Sequence, residues 1–386
     1  VSTGLALALA LSYTKILGVE KRSVLTFVMV SAIILAFIFT SGISLALRNK
    51  PSIKIKDEEY FGFLAIVFIT GLLTAIINCS LLLLYSNIKT YIPGPIYLVC
   101  FLYSFFACVA LGYQDALIAM GNLKFATMLD LITVVIQAFT MWFFIKVGLT
   151  SLIISIFLAF ILSYMLVALS VVIVVFNSFH FSLESLASGM RSILSQSRAQ
   201  HLFGIANGLV DRVDRFLVGL LLPFGFIAKY ALLSSIISVA RFFPDAFIKL
   251  SLLRHHDGEA KKESSINPLT VFMILFIGLS LVFAAQFFIG TVFGKIWLLP
   301  ISVGFLFLGQ EILRGVYQIK AIRLIAVGGK SDMSRISVQL IVLSTLFISL
   351  GALGFGIWGV PAAMVLTYIV LILQIDTRLK RYSHVH

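Results

Sequence analysis

The stretch YFGFLAIVFITGLLTAIINCSLLLLY, Tyr60–Tyr85, carries no charged side chain. A run of about 18 or more apolar residues is long enough to cross a bilayer core as a helix. A second membrane-length run is Ser331–Leu353, charged only at Asp332 and Arg335. About twelve of them fill the chain from end to end, which leaves room only for short connections. Composition agrees: 60% of the residues are hydrophobic and 12% are charged. The mean hydropathy is +1.09. A soluble domain carries roughly 25% charged residues. Lipid offers the backbone no hydrogen-bond partner, so spanning elements are helices or closed barrels. Continuous apolar runs, rather than short alternating ones, point to helices.

The expected fold is therefore an all-α polytopic membrane protein. Its spans are placed at 2–17, 23–47, 60–85, 95–120, 125–146 and 151–176, then 198–222, 226–250, 268–289, 297–319, 331–353 and 358–374. No soluble catalytic domain fits in what remains, so the chain is not read as an enzyme. It contains no HExxH and no phosphate-binding glycine loop, and no cofactor is expected. No charged n-region with a small-residue cleavage site opens the chain, so no cleaved signal peptide is expected. Cys79, Cys100 and Cys108 all lie in apolar runs without metal-ligand spacing. His255-His256-Asp257 falls in a charged connection and reads as a solvated loop rather than a zinc site.

The net charge of +13 is mostly topology. With the N-terminus inside, eighteen Lys and Arg fall in the inner connections and six in the outer ones, Lys21 and Arg22 among the six. Cytoplasmic loops carry that excess. Both termini are thus expected in the cytoplasm, and no nucleic-acid partner is expected.

An internal echo divides the chain. Gly18 and Gly225 lie 207 residues apart, and so do Gly121 and Gly328. Six spans per half make two parallel lobes, 1–180 and 181–386. Transporters with that organisation bind cargo between repeats near the midplane. The connection Asn177–Ser197 sets serines among Leu, Ile and Met at helical spacing. It fits either a helix on the inner membrane surface or a plain linker. Gly204 and Gly208 form a small-xxx-small pair suited to close helix packing, and Gly351, Gly354, Gly356 and Gly359 are read the same way.

Ionisable residues inside spans are costly unless paired or wet, and so they are functional candidates. The densest group is Asp211-Arg212-Val213-Asp214-Arg215. Asp211 and Arg215 are four apart and able to pair. Arg212 points about 100° away. Two readings stay open: a structural ion network, or a guanidinium presented to a cavity. Arg241 and Asp245 repeat the spacing around Pro244, and Glu311 and Arg314 are three apart. For Glu311 and Arg314 an inert ion pair leads. Lys15 sits near the outer end of the first span, where it can snorkel. Asp115 and Asp130 lie toward the inner ends of the fourth and fifth spans.

DRVDRFLVGLLLPFGFIAKYALLSSI (Asp211–Ile236) resembles the seventh-to-eighth-span signature of Wzx-type polysaccharide flippases, through Asp214-Arg215, Gly225 and Tyr230-Ala231. GIWGVPAAMVLTYIV (Gly356–Val370) is similar to that family's last span. The family belongs to the multidrug/oligosaccharidyl-lipid/polysaccharide exporter superfamily. The resemblance implies a MATE-like V-shaped bundle of two six-helix lobes, with spans one, two, seven and eight lining a central cavity. It implies a lipid-linked oligosaccharide as cargo, with membrane lipids and polysaccharide-assembly membrane proteins as neighbours, in the bacterial inner membrane. Lys15, Arg212, Arg215 and Arg241 are then expected to hold the pyrophosphate. Asp115, Asp130, Asp211, Asp214, Asp245, Glu311 and Arg314 are expected to be structural or coupling charges. The rival readings are a cation-coupled multidrug exporter, which needs buried carboxylates free of cations, and a lipid II flippase.

Overall fold

The computed structural model describes residues 2–48, 55–84, 95–148, 151–180, 182–210, 212–241, 268–327 and 329–383. Twelve α-helices and no strand occur among them. They are α1 Ser2–Arg48, α2 Asp57–Leu84, α3 Pro95–Ala119, α4 Leu123–Val147, α5 Leu152–Ser178 and α6 Leu183–Val210. There follow α7 Val213–Leu221, α8 Gly225–Ile237, α9 Pro268–Val292, α10 Ile301–Ala326, α11 Lys330–Phe355 and α12 Gly359–Ser383. α1 is broken at Gly18, whose φ of 73° and ψ of 174° only glycine adopts without strain. The break separates the first two expected spans.

Large apolar side chains cover the outside. Leu84, Phe139, Trp142, Phe287 and Phe355 are all more than half exposed. In water such a surface would aggregate; in lipid it is the solvated face. The chain is a multi-pass membrane protein.

The chain divides into two compact units, Val1–Arg212 and Val213–His386. In the first, α2 and α3 run antiparallel and are joined by small and polar groups. Asn78 Nδ2 donates to Ser104 Oγ at 2.8 Å. Thr74 Oγ1 donates to Cys108 Sγ at 3.6 Å. Gly71 receives Val109 and Phe105. α5 packs on both α3 and α4.

α6 corrects one expectation. Residues 183–197 do not lie apart on a membrane surface; they continue into the helix that runs to Val210 and packs on α1 and α2. The serine face finds carboxylates there. Ser188 Oγ donates to Glu58 Oε2 at 2.6 Å, and Ser192 Oγ to Glu59 Oε1 at 2.6 Å. Gly189 meets the backbone of Glu58, where no Cβ fits. Gly204 and Gly208 sit against Ser41 and Phe37 of α1, the close approach their spacing predicts. The seventh span is consequently two helices: the Arg212 N–H turns back to the Leu209 carbonyl at 2.8 Å, and α7 starts at Val213.

In the second unit, α12 packs on both α10 and α11, as α5 does on α3 and α4. Lys320 of α10 pairs with Asp376 of α12. Arg378 pairs with Asp332 of α11 at 3.3 Å.

The helix boundaries carry the internal repeat. α4 and α11 begin 207 residues apart, as do α5 and α12, and α3 and α10 begin 206 apart. Gly148 ends α4 with φ 66° and Gly356 ends α11 with φ 60°. Gly71 and its counterpart Gly278 each seat a side chain of the following helix, Val109 and Leu308 respectively. Gly328 itself lies outside the described residues.

Candidate functional site

The first unit carries a half-open cavity of about 310 Å³. It is lined by Ala6, Leu9 and Tyr13 of the first α1 segment and by Met29 of the second. Ala110, Leu111 and Gln114 of α3, Asp130, Thr133, Val134 and Gln137 of α4, and Phe160 and Tyr164 of α5 complete it. Asp130, Thr133 and Gln137 share one face of α4 because they are three and four residues apart. Gln114 Nε2 donates to Asp130 Oδ1 at 2.8 Å, and Gln137 Nε2 donates to Ser163 Oγ at 3.1 Å. Among the described residues no cation pairs with Asp130. A carboxylate held by one neutral donor keeps acceptor capacity for a proton or a metal cation.

Beside these polar groups, Tyr13, Phe160 and Tyr164 make the aromatic part of a wall that is otherwise aliphatic. Tyr13 and Phe160 meet edge to face at 6.2 Å. Tyr103 packs on Phe160 and on Tyr164, each at 6.1 Å. Two guanidiniums border this wall. Arg22 lies over the Tyr13 ring at 4.5 Å. Arg212 lies over the Phe37 ring at 5.0 Å, within electrostatic reach of Tyr103 and Tyr164.

The second unit holds a closed cluster instead. Tyr230 Oη of α8 donates to Asp214 Oδ2 at 3.0 Å, and the Arg215 N–H donates to Asp214 Oδ1 at 2.7 Å. Both Asp214 and Tyr230 are buried. Glu311 of α10 is buried as well and acts electrostatically on Asp214. Phe307, one turn before Glu311, packs on the Tyr230 ring at 4.6 Å. The two hydrogen bonds to Asp214 and the nearby Arg215 charge offset part of the cost of burying that carboxylate away from water.

The expected residues therefore part company. Arg212 belongs to the first unit; Arg215, Asp214, Glu311 and the half-buried Arg314 belong to the second. Lys15 is exposed and is not among the cavity residues. Asp115 pairs with Arg48 at 3.2 Å, so it serves as an ion-pair partner rather than a carboxylate without a cation. Among the described residues, Asp130 alone of the expected carboxylates lines the cavity. Asp211, Asp245 and the Arg241 side chain lie outside the described residues, with the His255-His256-Asp257 triplet. Sequence reasoning missed Gln114, Gln137 and Arg22. The first two were legible as amides inside apolar helices, where an unpartnered polar group is costly. Arg22 was hidden by its neighbours Glu20 and Lys21, which gave it the look of a loop residue.

No family model matches the chain, and no curated protein sequence matches it. Solved structures do. An inward-facing multidrug resistance MATE family transporter of the MOP superfamily is 14% identical, with a TM-score of 0.64 over 100% of this chain and 95% of that one. A mutant of the Vibrio cholerae MATE transporter VcmN is 16% identical, with a TM-score of 0.61 over 100% and 94%. The eukaryotic MATE transporter AtDTX14 is 13% identical, with a TM-score of 0.61 over 99% and 95%. At such identities the likeness establishes the fold, and the fold is that of MATE transport proteins.

Proposed function

We propose that the chain is an ion-coupled exporter of the multidrug type, which takes amphipathic organic molecules into the cavity of the first unit. Asp130 is the coupling carboxylate: it accepts a proton or a sodium ion, and the loss or gain of that charge changes what the cavity holds. The observation that carries the reading is a cavity carboxylate whose hydrogen-bond donor is the neutral Gln114. The MATE fold supports it. Apolar and aromatic walls with a few polar groups suit amphipathic ligands. The Lys and Arg excess of the inner connections supports cytoplasmic termini and a plasma membrane location.

The test is dye export from proteoliposomes under an imposed proton or sodium gradient. Asp130→Asn is expected to lower export about tenfold or more while the protein inserts and folds as before. Export at the wild-type rate removes Asp130 from the mechanism and the reading with it.

A second reading, translocation of lipid-linked oligosaccharides, is supported by Arg212 beside the aromatic wall, since a guanidinium suits phosphate. Deletion in cells separates the two. Loss of drug resistance with intact surface glycan favours the exporter; loss of surface glycan favours the flippase.

A further inference from the structure

Arg22 is a buried cation whose described surroundings leave part of it unanswered. It opens the second segment of α1, four residues past the break at Gly18. It is only 8% exposed. Its Nε and Nη1 are buried and meet no hydrogen-bond acceptor. Among the described residues no carboxylate pairs with it. Its one described partner is the face of Tyr13, at 4.5 Å. Burying a guanidinium without an acceptor is costly, and a tyrosine face returns only part of that cost. Tyr13 is also a wall of the cavity. The same ring thus touches the cation and the space where cargo is read to bind.

Arg22 differs in this from the carboxylates of the interior. Asp115 has Arg48, and Asp214 has Tyr230 and the Arg215 backbone. We propose that Arg22 is an anion subsite of the first unit's cavity. It takes an oxyanion group, a carboxylate or a phosphate, when the Tyr13 ring moves aside. The planar guanidinium makes directional, charge-assisted hydrogen bonds to such groups. The cargo then carries an anionic group at one end, bound away from the Asp130 carboxylate. This rests on the reading that the cavity of the first unit is the cargo site.

The experiment uses the full chain purified in neutral detergent, with inorganic phosphate and phosphatidic acid as probes. Arginine-selective modification by phenylglyoxal, read by peptide mass spectrometry, reports whether Arg22 becomes accessible and whether a probe shields it. Protection by inorganic phosphate supports a site for a small oxyanion. Protection by phosphatidic acid alone supports the same site filled from a lipid-borne phosphate. Protection by neither, or an Arg22 that never reacts, overturns the proposal. Arg22→Gln is expected to weaken phosphate binding by roughly thirtyfold, the scale of losing one partner of a buried charge pair. Equal affinity in Arg22→Gln overturns the proposal, and the modification assay on the unaltered chain decides should that variant fail to fold. Wild-type export by Asp130→Asn with phosphate protection intact would remove the exporter reading and leave the anion subsite standing.

Discussion

The two units share one plan of helices and have opposite interiors. α3, α4 and α5 reappear as α10, α11 and α12 at a spacing of 206 or 207 residues, with the same packing of the last helix on the other two. Yet Asp130, Gln114 and Tyr164, which line the cavity, correspond at that spacing to Ser337, Ala321 and Leu371. In the other direction, Asp214 and Glu311 correspond to Leu7 and Ser104. None of these carboxylates is repeated in the other unit, whereas Arg22 corresponds at the same spacing to another cation, Lys229. A duplicated scaffold needs its helix lengths, terminal glycines and close-packed crossings twice. It needs its wet site only once, because every buried polar group added to a bilayer-spanning core costs stability. The first unit accordingly carries an open cavity that is polar on one side of α4, while the second gathers Asp214, Tyr230 and Glu311 in its interior.

The contrast is open to measurement by unfolding in mixed micelles. The largest effect belongs to the closed cluster. Asp214→Ala leaves the Tyr230 hydroxyl and the Arg215 backbone N–H without their acceptor and takes away the carboxylate whose charge Arg215 offsets, and a loss of about 3–5 kcal/mol is expected. A loss well below that would show that the second unit is wet, and the contrast would fall. Gly189→Ala forces a methyl group against the Glu58 backbone at the α2–α6 crossing, with an expected cost of about 1–3 kcal/mol. A neutral result would mean that α6 is not fastened to the first unit. Asn78→Leu removes the hydrogen bond to Ser104 within the α2–α3 contact. About 0.6 kcal/mol is expected, the average for such bonds between membrane helices. The smallest change belongs to the cavity. Asp130→Asn keeps an acceptor for Gln114 in an open space, so stability should move by no more than about 0.5 kcal/mol even as export is lost. A large destabilisation there would make Asp130 a structural residue and erase the difference between the units.

Much of this architecture was legible beforehand. Apolar run length located the spans, and the small-xxx-small spacing of Gly204 and Gly208 marked their contact with α1. Two features were not legible. The serines between 182 and 197 read as a surface stripe because Glu58 and Glu59, their partners, lie more than 120 residues earlier in the chain. The charges of Asp211–Arg215 read as one motif because they are adjacent in sequence. The helix break after Val210 assigns Arg212 to one unit and Asp214 with Arg215 to the other.

The sequence by itself determined that this chain lives in a bilayer as paired sets of helices, because hydropathy and helix length are local properties summed along the backbone. Only the tertiary structure decided which polar side chains share a cavity. Asp130 and Gln114, Arg22 and Tyr13, and Asp214 and Tyr230 meet through helix packing. A side chain's worth as a ligand depends on what stands opposite it in space, and residue order alone does not encode that.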